Sequence, residues 1–187
     1  MKELYGGSLY LSDWLGKNSI ANLREEVLAL DWITKRTARH EYFMSVDERG
    51  YSYGNSFSGE EEYFSKPMTL AVDAVMLRLN EDLGANFNAC FLNKYDDEKQ
   101  HLGWHADDFE GMNPNEPIAV VSLGAEREIW LKKQDEKGNI PSDQKVLLEE
   151  GSLFVMPEGF QDEYFHRIPK HDRPCGWRIS LTFRSFK

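Results

Sequence analysis

Apolar residues recur at helical spacing in two early segments. The first is 12–30, where Asn18 or Ser19 is expected to cap the start of a helix. The second is 67–83, with a proline in its first turn and Gly84 as its C-terminal stop. The apolar positions are Leu23, Val27 and Leu30 in the first helix and Leu70, Val72, Val75, Met76 and Leu79 in the second.

The pattern changes to short β-type runs elsewhere in the chain. Residues 32–64 are polar, aromatic and rich in Gly and Ser, which predicts short strands and loops. After residue 86, apolar runs of strand length alternate with turn-forming residues. Helices followed by many short strands predict a mainly β, α+β fold, with N-terminal helices packed on one side of a β-sandwich or jelly roll.

Composition narrows the class of protein. A chain of 187 residues with 41% hydrophobic and 29% charged positions is expected to form one domain, 1–187. It contains no apolar run long enough for a membrane helix, and its N-terminus is a poor signal peptide, so a cytoplasmic protein is expected. Cys90 and Cys175 form no disulfide framework or zinc motif and are expected to be buried thiols. The net charge of −10 opposes tight, non-specific duplex binding.

Three residues have the chemistry of a metal site. His105 and Asp107, in GWHADD, differ by two positions and would face the same side of a strand. His166 follows in EYFHRIP. Two imidazoles and one carboxylate form the facial triad of non-haem Fe(II) oxygenases, which leaves positions open for 2-oxoglutarate and oxygen. The H-x-D pair by itself is common, and a surface His and Asp is its alternative interpretation.

The C-terminal strand WRISLTFR adds a second feature. Arg178, Ser180, Thr182 and Arg184 alternate with apolar residues, so one face is polar. If that face points inward, its guanidiniums can bind carboxylates; the alternative is a half-exposed strand. The two arginines are about 20 Å apart along a strand and suit opposite ends of a dicarboxylate. Asn93 and Tyr95, in FLNKY, add two polar groups on one strand face.

The chain resembles the AlkB family of Fe(II)- and 2-oxoglutarate-dependent dioxygenases in six segments and in their order. These segments are FLNKY, GWHADD, PIAVVSLGAERE, GSLFVMP, HRIP and WRISLTFR. The resemblance is close over 88–187. It implies a double-stranded β-helix core at 86–187 and a nucleotide-recognition lid at 32–66. It also implies oxidative dealkylation of N-alkylated nucleobases in DNA or RNA. The implied reaction needs bound Fe(II), consumes 2-oxoglutarate and O2, and releases succinate, CO2 and formaldehyde.

The resemblance assigns roles to the residues introduced above. The implied iron ligands, which are also the catalytic residues, are His105, Asp107 and His166. The implied 2-oxoglutarate residues are Asn93, Tyr95, Arg178, Ser180 and Arg184, with Arg178 at the distal carboxylate and Arg184 near the metal-bound end. Ser180 departs from the family pattern, where Asn is frequent, and a small effect on co-substrate affinity is expected because Ser still donates a hydrogen bond.

The substrate side is predicted from fewer residues. Tyr51 and Tyr53 match lid aromatics that stack on a flipped base, and two exposed tyrosines on a hairpin are the alternative. Arg39 belongs to a basic cluster that would meet a phosphate backbone, and a solvated run of charges is the alternative. Asp108 would contact an exocyclic amine or a cationic ring, because Phe109 occupies the position where family members often carry an acidic residue. The other members of the basic cluster are Lys35, Arg36 and His40.

Two further functions compete with dealkylation of nucleic acids. A dioxygenase of the same family acting on a protein or small molecule is favoured by the acidic charge and by Phe109. A zinc site is suggested by the H-x₃-H spacing of His101 and His105, although Gly103 opposes the helix that this pairing needs. We further expect a monomer with no membrane contact and no obligatory protein partner. A short lid without an obvious hydrophobic wedge favours single strands as substrate.

Overall fold

The computed structural model describes residues 1–35, 38–53, 61–107 and 110–187, and for 51–53 and 61–63 only the backbone. Its helices are α1 (Lys17–Leu28), α2 (Leu70–Leu83) and α3 (Phe160–Glu163). Its strands are β1 (Lys2–Glu3), β2 (Leu9–Leu11), β3 (His40–Ser45), β4 (Gly50–Tyr53), β5 (Glu61–Phe64), β6 (Ala89–Tyr95), β7 (Leu102–His105), β8 (Ile118–Gly124), β9 (Arg127–Lys133), β10 (Lys145–Leu148), β11 (Leu153–Met156), β12 (Tyr164–Ile168) and β13 (Arg178–Arg184). None of the helices in these ranges has the length and apolar composition needed to span a bilayer.

The strands form a two-layered jelly roll, which confirms the predicted fold class. A major sheet has the order β1-β2-β11-β8-β13-β6-β3, and a minor sheet has the order β10-β9-β12-β7. The named strands pair antiparallel throughout. Strands β4 and β5 form a separate hairpin. Side chains between the two sheets therefore come from both layers and surround one interior.

The two long helices cover the outer face of the major sheet. Val27 of α1 and Leu79 of α2 are fully buried in one cluster with Leu92, Leu181 and other residues of the central strands. Burying a side chain of this size stabilises the fold by about 1.5–3 kcal/mol. The helices thereby seal one face of the central strands, and the other face of those strands is left to build the interior.

The helix ends differ in part from the predictions. Helix α1 starts after Gly16 without a side-chain cap, so the expected caps Asn18 and Ser19 lie inside it. Helix α2 starts at Leu70, because backbone hydrogen bonds from Ser45 to Lys66 and from Lys66 to Phe43 hold the preceding segment extended against β3. Leu70 is 86% exposed, so the prediction that it belongs to the apolar face of this helix is wrong. The C-terminal stop is confirmed, since Gly84 has a left-handed backbone with φ +63°.

Within 32–66, where the sequence predicted a lid, the described residues 40–45 belong to the major sheet. Strand β3 pairs with β6 along its whole length and is an edge strand of the major sheet. The β4–β5 hairpin alone stands apart from both sheets. The reason is packing: Phe43 and Met44 are buried, as expected for a sheet strand and not for a surface lid.

Candidate metal centre and co-substrate pocket

The inner face of β13 confirms that its polar residues point into the jelly roll. Ile179, Leu181 and Phe183 pack in the helix-side core. The alternating polar residues line an interior cavity instead, and all of them are buried. Strand β13 is therefore buried on both faces, and the surface-strand alternative is wrong. These inward residues are Arg178, Ser180, Thr182 and Arg184.

The three predicted metal ligands meet at one end of this cavity. His105 ends β7 and lies directly opposite His166 of β12, with their ring centroids 4.1 Å apart. Asp107 lies two residues beyond the end of β7, so it is held by a loop and not by the strand that the sequence predicted. Ligand atoms of the three side chains lie within 4.8 Å of one another.

Asp107 is an ionised carboxylate with one oxygen held and one oxygen open. Arg184 donates to its Oδ2 from Nη2 at 2.6 Å and from Nε at 3.1 Å. Burial opposes ionisation, but Arg184 and the two histidines together lower the pKa of Asp107 well below its ordinary range. Oδ1 is buried and accepts no hydrogen bond from the residues that the structure describes, and Nε2 of His105 lies 3.5 Å from it. A buried, unpartnered carboxylate oxygen beside two imidazoles fits a metal ligand.

Both imidazoles fit the same role. The Nδ1 of His105 lies 2.8 Å from the carbonyl oxygen of Gly103, so this nitrogen donates, and Nε2 is the nitrogen left to face Asp107 and a metal. Burial, with the nearby His105, lowers the pKa of His166 to about 3, which keeps its ring neutral at physiological pH. Neutral imidazoles and an ionised carboxylate are the protonation states that a divalent metal needs. The donor set suits Fe(II) in a facial triad.

Arg178 has the features of a buried anion site. Its side chain is fully buried, and burial lowers its pKa to about 10. Nη2 donates to Ser122 Oγ at 3.1 Å, whereas Nε and Nη1 have no hydrogen-bond partner within the described part of the chain. Among the residues that the structure describes, no carboxylate lies within ion-pair distance of it. Unsatisfied buried donors of this kind fit a carboxylate of 2-oxoglutarate.

Other predicted co-substrate residues surround the same cavity. Asn93 and Tyr95 of β6 line it together with Ser180, which lies opposite Asn93 in the sheet register. Arg184 also lines it, but the contacts seen here go to Asp107 and anchor the metal ligand. The cavity thus brings together every residue that the sequence predicted for iron and for 2-oxoglutarate.

The substrate predictions fare differently. Arg39 is not on an exposed rim: it is 5% exposed and contacts Glu41 and Asn93, because those polar groups offer buried partners for its guanidinium. Asp108 and Phe109 lie outside the described residues. Tyr51 and Tyr53 lie on β4, where only the backbone is described. Of the remaining basic cluster, Arg36 is outside the described residues, and His40 pairs with Asp96 at 2.5 Å.

A second cavity adjoins the candidate metal centre. It has a volume of about 660 Å³ and reaches Asp107, with Met112, Gln161 and Phe165 among its walls. Gln161 Oε1 accepts a hydrogen bond from the backbone N–H of Asp107 at 2.8 Å, which ties the loop after β7 to α3. The volume lies within the range of small-molecule sites.

The sequence interpretation missed one buried residue. Arg127 is 1% exposed and donates to the backbone carbonyls of Asp97, Gln100 and Pro169. The sequence could have predicted this burial, because alternate residues of a strand share a face and Arg127 therefore lies on the same face of β9 as the buried Ile129 and Leu131. A charged side chain on a buried face needs hydrogen-bond partners there.

The zinc alternative receives no support from the described part of the chain. The one group of potential metal ligands found there contains His105 but not His101. Residues 102–105 form a strand, so these histidines do not share a helix face. Both cysteines are free thiols; Cys90 is buried as expected, whereas Cys175 is partly exposed.

The comparisons with known proteins agree with the fold and the site. The family model of the 2OG-Fe(II) oxygenase superfamily matches residues 7–184. The structure of OsALKBH1 superposes with a TM-score of 0.68 at 17% identity, covering 98% of this chain and 99% of that one. A Pseudomonas putida prolyl-4-hydroxylase superposes with a TM-score of 0.57 at 16% identity, covering 98% and 94%. Fold and site therefore define a 2OG-Fe(II) oxygenase, which uses Fe(II), 2-oxoglutarate and O2.

Sequence relatives give the particular family. "DNA oxidative demethylase ALKBH2" of Mus musculus is 31% identical over 173 residues, which are 86% of this chain and 72% of the relative. The Homo sapiens protein of the same name is 29% identical and covers 83% and 64%. The "Alpha-ketoglutarate-dependent dioxygenase alkB homolog 3" of Rattus norvegicus is 34% identical over 58% of this chain and 38% of its own length. The chain belongs to the AlkB family.

Proposed function

We propose that this protein removes N-alkyl groups from nucleobases in DNA or RNA by Fe(II)- and 2-oxoglutarate-dependent oxidation. The observation that carries the proposal is a cluster of two histidines and one aspartate at a cavity lined by buried arginines, in a chain that is 31% identical, over 86% of its length, to a DNA oxidative demethylase. When bound, Fe(II), 2-oxoglutarate and O2 supply the oxidation of an N-alkyl carbon, with succinate and CO2 as co-products and formaldehyde lost from the base.

The residues of the chain divide the work around that chemistry. His105, Asp107 and His166 hold the metal, and Arg184 fixes Asp107 so that Oδ1 faces the metal position. Arg178 receives the distal carboxylate of 2-oxoglutarate. The side chains of Asn93, Tyr95 and Ser180 complete the co-substrate pocket. The cavity lies between the two sheets, and the five proposed co-substrate residues that line it are at most 6% exposed.

The alkylated base is proposed to enter beside Asp107. The 660 Å³ cavity reaches that residue and provides the space. Tyr51 and Tyr53 on the separate β4–β5 hairpin are proposed to stack on the extruded base, and Asp108 to contact its exocyclic amine or cationic ring. Replacing both tyrosines with alanine is expected to impair turnover of nucleic acid and to spare 2-oxoglutarate decay without substrate. An equal fall in both activities would assign the tyrosines to structure.

A local cationic surface answers the objection raised by the net charge of −10. On the outer face of the minor sheet, Arg167 stacks between Trp104 and Trp130, with its guanidinium carbon 4.8 Å and 4.3 Å from the ring centroids. Lys132 and Lys145 lie over the same two rings, at 4.8 Å and 4.2 Å. Trp104 is therefore part of a half-buried outer surface and not of the core. Glu128 lies on the same face and accepts a hydrogen bond from Trp130 Nε1 at 2.7 Å, so three cations against one carboxylate leave a positive patch that would favour a phosphate backbone.

The decisive experiment is a formaldehyde-release assay with Fe(II) and 2-oxoglutarate. Methylated single-stranded DNA, duplex DNA and RNA are compared, and Asp107→Ala serves as the inactive control. We expect release from at least one polymer, with single strands preferred. Release from none of them, while the protein still converts 2-oxoglutarate slowly, would favour an oxygenase for a protein or small molecule, the function that the acidic charge supports. The cytoplasmic location and the monomeric state stay predictions.

A further inference from the structure

Arg39 contacts Asn93, one of the residues that line the co-substrate pocket. It lies immediately before β3, and its Nε donates to Asn93 Oδ1 at 2.9 Å. Its Nη2 donates to Glu41 Oε1 at 2.6 Å. All three residues are buried, each at most 6% exposed. Glu41 and Asn93 lie opposite each other on β3 and β6, so the arginine bridges two neighbouring strands at the wall of the cavity.

This contact fixes which end of the Asn93 amide faces which way. Arginine carries only hydrogen-bond donors, so the amide atom that it contacts must be the carbonyl oxygen. The amide NH₂ is then the end left for another partner. Because Asn93 lines the cavity with Ser180 and Arg178, that partner lies on the side of 2-oxoglutarate. A carboxylate needs donors, and an amide turned the other way would present an acceptor.

We infer that Arg39 is a positioning residue for 2-oxoglutarate: it holds the Asn93 side chain with its NH₂ group toward the co-substrate. Glu41 in turn holds the guanidinium in place through a buried charge-assisted bond. This inference rests on the proposed placement of 2-oxoglutarate against Asn93. It replaces the role at the phosphate backbone that the sequence suggested for Arg39.

The test is Arg39→Lys, because lysine keeps a cation for Glu41 but loses the planar fork that reaches both partners. Binding of 2-oxoglutarate is measured by isothermal titration calorimetry without O2, with Mn(II) in the metal site. We expect the Kd to rise on the order of ten-fold, as for loss of one hydrogen bond to a charged group. The kcat at saturating 2-oxoglutarate should change little, whereas its KM should rise with the Kd. His40→Gln, at the next position, is the matched control and should leave the Kd unchanged.

A double-variant comparison separates the possible failures. If Arg39 acts through Asn93, the Arg39→Lys/Asn93→Ala protein should bind 2-oxoglutarate no more weakly than Asn93→Ala alone. Additive losses would overturn the inference, as would an unchanged Kd for Arg39→Lys beside a raised Kd for Asn93→Ala. An unchanged Kd for Asn93→Ala would refute the placement of 2-oxoglutarate itself.

Folding of the variants is checked by circular dichroism. If Arg39→Lys does not fold, the double variant Arg39→Gln/Glu41→Gln takes its place. It removes both charges together, so neither buried charge is left without its partner. The same rise in Kd is expected for it, and wild-type binding would overturn the inference.

Discussion

Replacing Arg178 with methionine should raise the stability of the ligand-free protein while it destroys co-substrate affinity. The guanidinium is fully buried, and two of its nitrogens make no hydrogen bond to any residue that the structure describes. Burial lowers its pKa from 12.5 to about 10, which corresponds to a penalty of about 3 kcal/mol on the charged form. Methionine fills a similar volume without charge, so the ligand-free protein should gain about 1–3 kcal/mol, or roughly 2–10 °C in Tm.

The effect on 2-oxoglutarate has the opposite sign. Two nitrogens of Arg178 are available for charge-assisted hydrogen bonds, each worth about 1.5–3 kcal/mol. After allowing for partial compensation, a loss of about 3–4 kcal/mol corresponds to a 100- to 1,000-fold rise in the Kd of 2-oxoglutarate. Gain of stability and loss of affinity in one variant is a combination that general damage to the fold does not produce.

Scanning calorimetry measures both quantities. Melting curves of wild type and Arg178→Met are recorded with Mn(II), without O2, and with and without 2-oxoglutarate. The variant should melt higher alone and gain little on adding the co-substrate. Arg78→Met, on the exposed side of α2, should behave as wild type does toward 2-oxoglutarate. A variant that melts lower alone and keeps its ligand-induced gain would refute the assignment of Arg178 as the anion site.

Three further predictions concern the metal ligands and the thiols. Asp107→Ala should lose Mn(II) binding in calorimetry and all succinate formation, since two imidazoles hold the metal poorly; unchanged turnover would remove Asp107 from the site. The pKa of His166 is lowered to about 3, so the metal-free protein should lose about 1.4 kcal/mol of stability per pH unit below pH 6.5, as its unfolded state takes up the proton. Denaturant titrations should show a flatter pH dependence for His166→Gln. Finally, iodoacetamide should label Cys175 and spare Cys90 in the folded protein, because burial raises the pKa of the Cys90 thiol; mass spectrometry locates the label.

Strand periodicity predicted most of the site because β13 has two buried faces of different chemistry. Alternation put Arg178 and Arg184 on the side opposite Leu181, and the structure places that polar side in the interior. The same parity rule placed Asn93 and Tyr95 on one face of β6. Where a side chain points is a local property of a strand, so a single sequence carries it.

Contacts between distant segments were beyond this reasoning. The ion pair of Arg184 with Asp107 joins residues 77 positions apart, and the bond from Arg39 to Asn93 joins residues 54 apart. Periodicity gives the face of a strand but not its neighbour in the sheet. The predicted start of α2 was wrong for the same reason. Pairing of Lys66 with β3 overrode the preference of a proline for the first turn of a helix.

The interior contains several buried arginines, although the chain as a whole is acidic. Arg39, Arg127, Arg178 and Arg184 are each at most 6% exposed in a chain with a net charge of −10. Two of them have carboxylate partners, Glu41 and Asp107. Arg127 and Arg178 instead lie over the same Tyr95 ring, each with its guanidinium carbon 5.6 Å from the centroid, and no described carboxylate pairs with either. Of the two, Arg178 lines the cavity, and a guanidinium in a low-dielectric interior attracts a small dianion more strongly than a surface lysine would. We therefore propose that the preference for a dicarboxylate co-substrate arises from these interior arginines, which the net charge of the whole chain does not reveal.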